Sequence, residues 1–264
     1  MQNCRSFLNT FTALRATGHL IKSGDTECLE LRNHSIVLDP TYPVTSFKAR
    51  NLNLDYAKKE VLWYLRGDRF DTSITGAAGA WNTLIQPDGG INSNYGQVIF
   101  QGPKQFDWVI EELTRDKQSR RAVMVIGDPA MLSAENNDHR CTMYIDYLIR
   151  AGAIHQTVHM RSNDAIFGLT NDVFFFGYLH QMVWACLRDV YPSLLLGDYT
   201  HYADSLHVYA RHFTMLNNLV DQGISGWYRV NLPLISSRDQ VDALRQSTRE
   251  GVVDADVNWF HSHK

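Results

Sequence analysis

The chain has 264 residues, 44% hydrophobic and 20% charged, which suits one globular domain with a sizeable core and requires no second one. A formal net charge of -3 excludes a protein that coats nucleic acid or a membrane surface, yet a few local arginines could still bind one phosphate. The four cysteines, Cys4, Cys28, Cys141 and Cys186, form no CxxC pair and no metal-like spacing with histidines, which fits free thiols in a reducing cytoplasm.

The first eighteen residues have no long apolar core and no small-residue cleavage site, so no signal peptide is expected. A helix is expected from Arg5 to Arg15, followed by a strand over Glu27 to Leu38. Leu54, Ala57, Val61, Leu62 and Leu65 recur at helical spacing, and Gly67 then stops that helix. Residues 71–100 are rich in Gly and Asn and read as irregular binding loops. Pro103 opens a helix that ends near Asp116. Three strand-like runs follow, Ala122–Ile126, Cys141–Ile149 and Ala153–Met160, the last two joined by the hairpin signal Arg150-Ala151-Gly152. Asp172 stands where an N-cap is expected, ahead of a long apolar helix. The apolar run from Val173 to Val190 is broken by Gly177, His180, Gln181 and Arg188, so it reads as a buried helix and not a membrane span. Ser237-Arg238-Asp239-Gln240 fits a capping box, with Gly251 ending that helix. With no repeat, low-complexity tract or linker, residues 1–264 read as a single α+β domain: a mixed sheet packed against a long apolar helix and several amphipathic ones.

A few residues stand out for their chemistry. A lone cysteine such as Cys141 is more often a buried core residue than a nucleophile. A reactive thiolate needs positive charge nearby; Arg140 is adjacent in sequence, and Arg161 ends the next strand of the hairpin. Arg120 and Arg121 read either as a solvated turn or as a phosphate clamp, since guanidinium forks match phosphate oxygens. Arg161-Ser162-Asn163-Asp164 places an arginine, a hydroxyl, an amide and a carboxylate at a strand end shortly before Gly168, which favours a binding role. Glu60 lies on the apolar face of its helix, one turn from Tyr56 and Tyr64, where a carboxylate is costly unless paired or kept for proton work. His207 and Tyr209 share one face of a strand and could reach sugar hydroxyls. His155 and His159 share a face too, but with no third ligand in view no metal is expected.

Phe47-Lys48, EVLWYLRGD at 60–68, Trp81-Asn82, NYG at 94–96, SRR at 119–121, Cys141, RSND at 161–164, Gly168 and HVY at 207–209 occur in an order that resembles the thymidylate synthase superfamily, from about Lys22 to Phe213. The resemblance implies that Cys141 attacks C6 of a pyrimidine nucleotide, so that C5 becomes a carbon nucleophile toward 5,10-methylenetetrahydrofolate. By the same resemblance Arg161, Ser162 and Asn163, with Arg120 and Arg121 from a partner subunit, contact the nucleotide and its phosphate; Lys22 stands, more loosely, in the place of the N-terminal phosphate loop. His207 and Tyr209 would hold the sugar, Glu60 would organise water for proton transfer, and Tyr95 would assist proton removal at C5. Trp81, Asp164 and Gly168 would meet the pterin. A clamp that crosses subunits implies a homodimer.

Four departures bear on specificity. Asp172 replaces the asparagine of true synthases. A carboxylate accepts from the amino group of cytosine and repels O4 of uracil, so Asp172 reads as a selector for cytosine. Thr142 follows Cys141 where synthases have histidine, and RSND replaces RSCD. These features, with DYLIR at 146–150 and SLHVYARHF at 205–213, resemble bacteriophage-type deoxycytidylate hydroxymethylases. The C-terminal VNWFHSHK lacks the apolar synthase tail that excludes water during hydride transfer, which would let water add to the new methylene. The expected reaction is therefore dCMP, methylenetetrahydrofolate and water giving 5-hydroxymethyl-dCMP and tetrahydrofolate, without a metal, in the cytoplasm of a host cell if the protein is viral. Rivals are a dCMP methylase that transfers hydride, an enzyme acting on dUMP, and a non-catalytic nucleotide- or folate-binding protein.

Overall fold

The computed structural model describes residues 2–133 and 135–262. Helix α1 (Gln2–Thr17) buries Phe7, Phe11 and Leu14 at i, i+4, i+7 spacing. It begins before the expected Arg5 because Asn3 is tied down: its Nδ2 donates to the carbonyls of Asp39 and Tyr42, and its Oδ1 accepts from the Asp39 N–H. Strand β1 (His19–Ser23) pairs antiparallel with β2 (Thr26–Leu38) around Gly24, whose φ is 58°. Strand β1 is an exposed edge with no apolar alternation, so its sequence carries no strand signal.

Helix α2 (Leu54–Arg66) has the expected bounds. Asn53 caps it by accepting from the Tyr56 N–H, and Gly67 ends it in the left-handed region at φ 64°. The expected irregular region holds two 3-10 turns, Ser73–Gly76 and Gly79–Leu84, and the short α3 (Gly96–Phe100). Gly96 lies backbone to backbone against α2: a Cβ there would come within 1.6 Å of the Tyr64 carbonyl oxygen. That approach lets the Tyr95 ring stack on Tyr64, with centroids 5.3 Å apart and planes within 3°. Helix α4 (Gln105–Arg115) starts two residues after Pro103, because Lys104 first turns through the left-handed region at φ 48°.

The remaining strands are β3 (Val123–Val125), β4 (Thr142–Arg150), β5 (Ala153–Met160), the two-residue β6 (Asn163–Asp164) and the long β7 (Leu195–Tyr209). Strands β4 and β5 form the expected hairpin. Its two-residue loop has Ala151 at φ 49° and Gly152 at φ 81°, the left-handed pair that matches strand twist. The sheet order is β1-β2-β7-β5-β4-β3, with β6 beside β7. Among the described residues only β5–β7 and β6–β7 are parallel. The parallel β5–β7 pair needs a crossover, and α5 (Gly168–Leu187) supplies it.

Helix α5 packs against β5 and β7 with nearly every side chain buried. Its buried amide is satisfied: Gln181 Nε2 donates to the Pro40 carbonyl at 2.7 Å, and its Oε1 accepts from the Ile235 N–H at 2.9 Å. Among the described residues, no helix is long and apolar enough to cross a membrane. Asp172 is not the N-cap of α5. The helix begins four residues earlier, and the free N–H groups at its entry are met by Asp164, which accepts from the backbones of Ile166 and Phe167. Helices α6 (Phe213–Gln222), α7 (Arg238–Glu250) and α8 (Asn258–His261) complete the chain. Ser237 caps α7 as expected, and Gly251 ends it at φ 70°. The reciprocal half of the capping box is displaced by one residue: Gln240 Oε1 accepts from the N–H of Ser236, not of Ser237.

Candidate active site

A cavity of about 830 Å³ opens where the ends of β5, β6 and β7 meet α2, the entry of α5 and the loops around residues 77–95. Polar side chains converge from α2, the loops, β6, β7 and the entry of α5, while β5 contributes Met160, as in small-molecule sites. Of the residues singled out in the sequence, Glu60, Trp81, Tyr95, Cys141, Ser162, Asn163, Asp164, Gly168, Asp172, His207 and Tyr209 all line it. Strand β7 brings His207 and Tyr209 there together, their rings 4.8 Å apart.

Cys141 stands just before β4, half-buried. Arg161 follows β5, so the hairpin lays the two side by side, with Arg161 Nη2 3.8 Å from Cys141 Sγ. The other Arg161 donors fix its place: Nε binds the Arg140 carbonyl at 3.0 Å and Nη2 the His139 carbonyl at 2.9 Å. Burial pushes the Cys141 thiol up; the Arg161 charge pulls it down, while Asp172 and Asp138 oppose ionisation. Arg140, adjacent in sequence, points elsewhere. It is buried, and its Nε and Nη1 donate to the carbonyls of Asn92 and Ile126.

Glu60 is 5% exposed. Its Oε1 accepts from the Tyr56 hydroxyl at 2.6 Å, and that hydroxyl accepts from Trp81 Nε1 at 2.9 Å. Burial pushes the Glu60 carboxyl up to about 8; the Tyr56 hydrogen bond works against the rise and the Asp172 charge adds to it. Asp172 is raised in the same way to about 7 by burial, with the Asn163 hydrogen bond opposing and Asp164 reinforcing. The cavity thus holds two carboxyl groups able to keep a proton near neutral pH, which is the condition for acid–base work.

Asn163 Nδ2 donates to Asp172 Oδ2 at 2.7 Å, and Gly168 lies close over this pair: a Cβ there would meet Asn163 Nδ2 at 3.1 Å. Ser162 lies at the rim of the same wall.

Lys22, Arg120, Arg121 and Arg161 do not line the cavity, although Arg161 lies against its Cys141. Lys22 sits on the outer edge strand, opposite Glu27. Arg120 and Arg121 are exposed between α4 and β3, and Arg121 Nε donates to the buried Glu112 at 3.1 Å. Among the described residues, no group of three or more His, Cys, Asp or Glu side chains is placed to hold a metal ion.

Sequence reasoning missed Arg50, Tyr56, Tyr64, Phe167 and Asn171, all of which line the cavity. Arg50 is 5% exposed and spans the site wall, its Nε donating to the Ile166 carbonyl and Thr170 Oγ1 and its guanidinium lying 4.4 Å from the centre of the Phe167 ring. Its partners are 116 and 120 residues away, so no local pattern marks it. Tyr56 and Tyr64 did carry a signal, the same helical face as Glu60.

The thymidylate synthase family model matches residues 17–250. The deoxycytidylate 5-hydroxymethyltransferase of Enterobacteria phage T4 is 30% identical over 238 residues, 87% of this chain and 92% of that protein. The protein of the same name from Enterobacteria phage T6 is 31% identical, over 78% of this chain and 85% of its own. The thermostable thymidylate synthase A of Bacillus subtilis shares the fold, with a TM-score of 0.69 and 20% identity over 84% of each chain.

Proposed function

The chain belongs to the thymidylate synthase family, and from that premise we propose that it is a dCMP hydroxymethylase, one catalytic domain over residues 1–264. It joins dCMP, 5,10-methylenetetrahydrofolate and water to give 5-hydroxymethyl-dCMP and tetrahydrofolate. The observation that carries this reading is Asp172, a carboxyl on the cavity wall in the same space as Cys141. The deoxycytidylate 5-hydroxymethyltransferase names of the phage relatives support the same substrate and product.

In this account Cys141 adds as thiolate to C6 of the pyrimidine, with Arg161 favouring the ionised sulfur and, with Ser162, meeting the phosphate. Addition places electron density on C5, which bonds to the one-carbon unit. Tyr95 and Glu60 serve the loss of the C5 proton, Glu60 through ordered water. Loss of that proton expels tetrahydrofolate and leaves a methylene on C5. Water adds to the methylene, giving up a proton, and Cys141 then leaves C6, so that the hydroxyl of the product comes from water. Asp172 accepts from the amino group of cytosine and repels O4 of uracil. His207 and Tyr209 meet the sugar. Trp81, Asp164 and Gly168 flank the pterin, with Phe167 and Arg50 beside them. The cavity volume falls in the range of sites that enclose ligands of this size. Arg120 and Arg121, outside the chain's own cavity, complete the phosphate clamp of a second copy in a homodimer, and Lys22 lies near the same phosphate. The setting is the cytoplasm, that of the host if the protein is viral.

The test is release of the C5 proton of dCMP to water in the presence of methylenetetrahydrofolate. Wild type releases it; Cys141→Ala loses at least about 10³-fold, the scale of removing a covalent nucleophile. Undiminished release from Cys141→Ala contradicts the covalent mechanism, and absence of release from wild type contradicts the enzyme assignment.

A further inference from the structure

Behind Asp172 lies a line of buried polar groups that no step above uses. Asn163 Oδ1 is 3.0 Å from His201 Nε2, and His201 Nδ1 is 2.7 Å from the Tyr199 hydroxyl. Tyr199 is fully buried, His201 is 1% exposed and Asn163 4%. Residues 199 and 201 are alternate positions of β7 and so face the same side of the sheet.

The proton positions in this line follow from the donor and acceptor inventory. The Asn163 amide nitrogen gives a hydrogen to Asp172 Oδ2. Its Oδ1 must therefore accept, and among the described residues the donor beside it is His201 Nε2–H. Burial depresses the His201 imidazole to about 3, so the ring is neutral and carries one proton. With that proton on Nε2, Nδ1 accepts from the Tyr199 hydroxyl. Every link then points the same way, from Tyr199 to Asp172. Among the described residues Asp172 Oδ1 takes no hydrogen bond, so it is left for a ligand.

We propose that Tyr199, His201 and Asn163 are specificity-determining positioning residues: a directional relay that fixes the Asn163 amide and thereby holds Asp172 as an acceptor toward an amino-bearing pyrimidine. The proposal rests on the reading of Asp172 as the base selector. Reversing one link reverses the rest. If Nδ1 loses its donor, the imidazole proton can move to Nδ1, the Asn163 amide can turn, and a carbonyl then faces Asp172. A carbonyl beside a carboxylate favours the protonated acid, which donates from Oδ2 to that carbonyl and leaves Oδ1 a neutral oxygen that accepts more weakly from an amino group and no longer repels a pyrimidine O4. Asp172 is also faced by Glu60, Tyr56 and Tyr64 from α2, by Tyr95, by Cys141 and by Asp164. None of these changes in the variants below.

The test has two readouts. The first is the titration of the Asp172 carboxyl, followed by NMR of protein labelled with ¹³C in aspartate and assigned by its loss in Asp172→Asn. Tyr199→Phe and His201→Leu are expected to move this titration upward by about one unit, a tenfold change in ionisation, as expected for one lost hydrogen bond to an ion. His201→Gln retains an N–H near the place of Nε2 and is expected to keep the wild-type titration. The second readout is the dCMP-to-dUMP ratio of kcat/KM, which should fall about tenfold in the first two variants and stay near wild type in the third. A titration unmoved in both Tyr199→Phe and His201→Leu, or moved equally in His201→Gln, overturns the relay. A moved titration in a protein that turns over neither nucleotide leaves the relay standing and removes the reading of the substrate.

Discussion

Arg161 and Cys141 are joined twice. The Arg161 N–H donates to the Cys141 carbonyl at 2.8 Å, and its guanidinium lies 3.8 Å from the sulfur. The backbone bond is part of the hairpin end, so the cation is placed against the thiol by the sheet itself and not by a flexible contact.

That placement predicts a titration. Arg161 is the one charge that lowers the Cys141 thiol against burial, Asp172 and Asp138. In Arg161→Gln the thiol should ionise at higher pH, since the lost cation favoured the thiolate. The check is the rate of iodoacetamide modification of Cys141 against pH, read on its own peptide by mass. A profile that coincides with wild type contradicts the electrostatic role of Arg161.

Glu60 predicts a pH dependence of stability. Its folded value of about 8 lies above the ordinary carboxyl value, near 4.3 in an unfolded chain. Below the lower value both states hold the proton and stability is full. Between the two values the unfolded chain releases a proton that the folded chain keeps, so stability falls by about 1.4 kcal/mol per pH unit. Asp172, raised to about 7, adds a fall of the same sign over most of that window. The buried His180 and His201, depressed to about 3, slope the other way below the ordinary histidine value and do so in both proteins. Urea unfolding at pH 5, 6 and 7 should therefore show wild type losing stability relative to Glu60→Gln by about 1.4 kcal/mol per pH unit. An equal slope in both proteins contradicts the buried neutral carboxyl.

Asp172→Asn tests base selection. An amide offers both an acceptor and a donor to the O4 and N3 edge of uracil, which the carboxylate repels. The dCMP-to-dUMP ratio of kcat/KM should fall by at least about tenfold, the least that one mismatched buried hydrogen bond produces. An unchanged ratio shows that another group reads the base.

Local signals carried much of the fold and of the site. Helix α2, the β4–β5 hairpin and the cap of α7 have strong periodicity or turn chemistry, and their bounds agree with the pattern. Cys141 and Arg161 were legible as neighbours because a hairpin fixes who faces whom. Asp172 was misread as a cap because an acidic residue before an apolar run looks the same whether the helix starts there or a turn earlier. Asp164, bound to the backbone of Ile166 and Phe167, shows where that helix is entered. Arg50 escaped because its partners are far away in the chain. Tyr199 and His201 escaped because buried polar residues alternating on a strand look like an exposed face, and their link to Asn163, itself a sequence candidate, spans 38 residues.

The most direct test of the central claim is product identification. Purified protein is incubated with methylenetetrahydrofolate and an equal mixture of dCMP and dUMP, and the nucleotides are weighed by mass spectrometry. The account predicts a cytidine nucleotide heavier by CH2O, with dUMP unchanged. A cytidine product heavier by CH2 contradicts the addition of water, and product from dUMP alone contradicts the assignment of Asp172 as the group that selects the base.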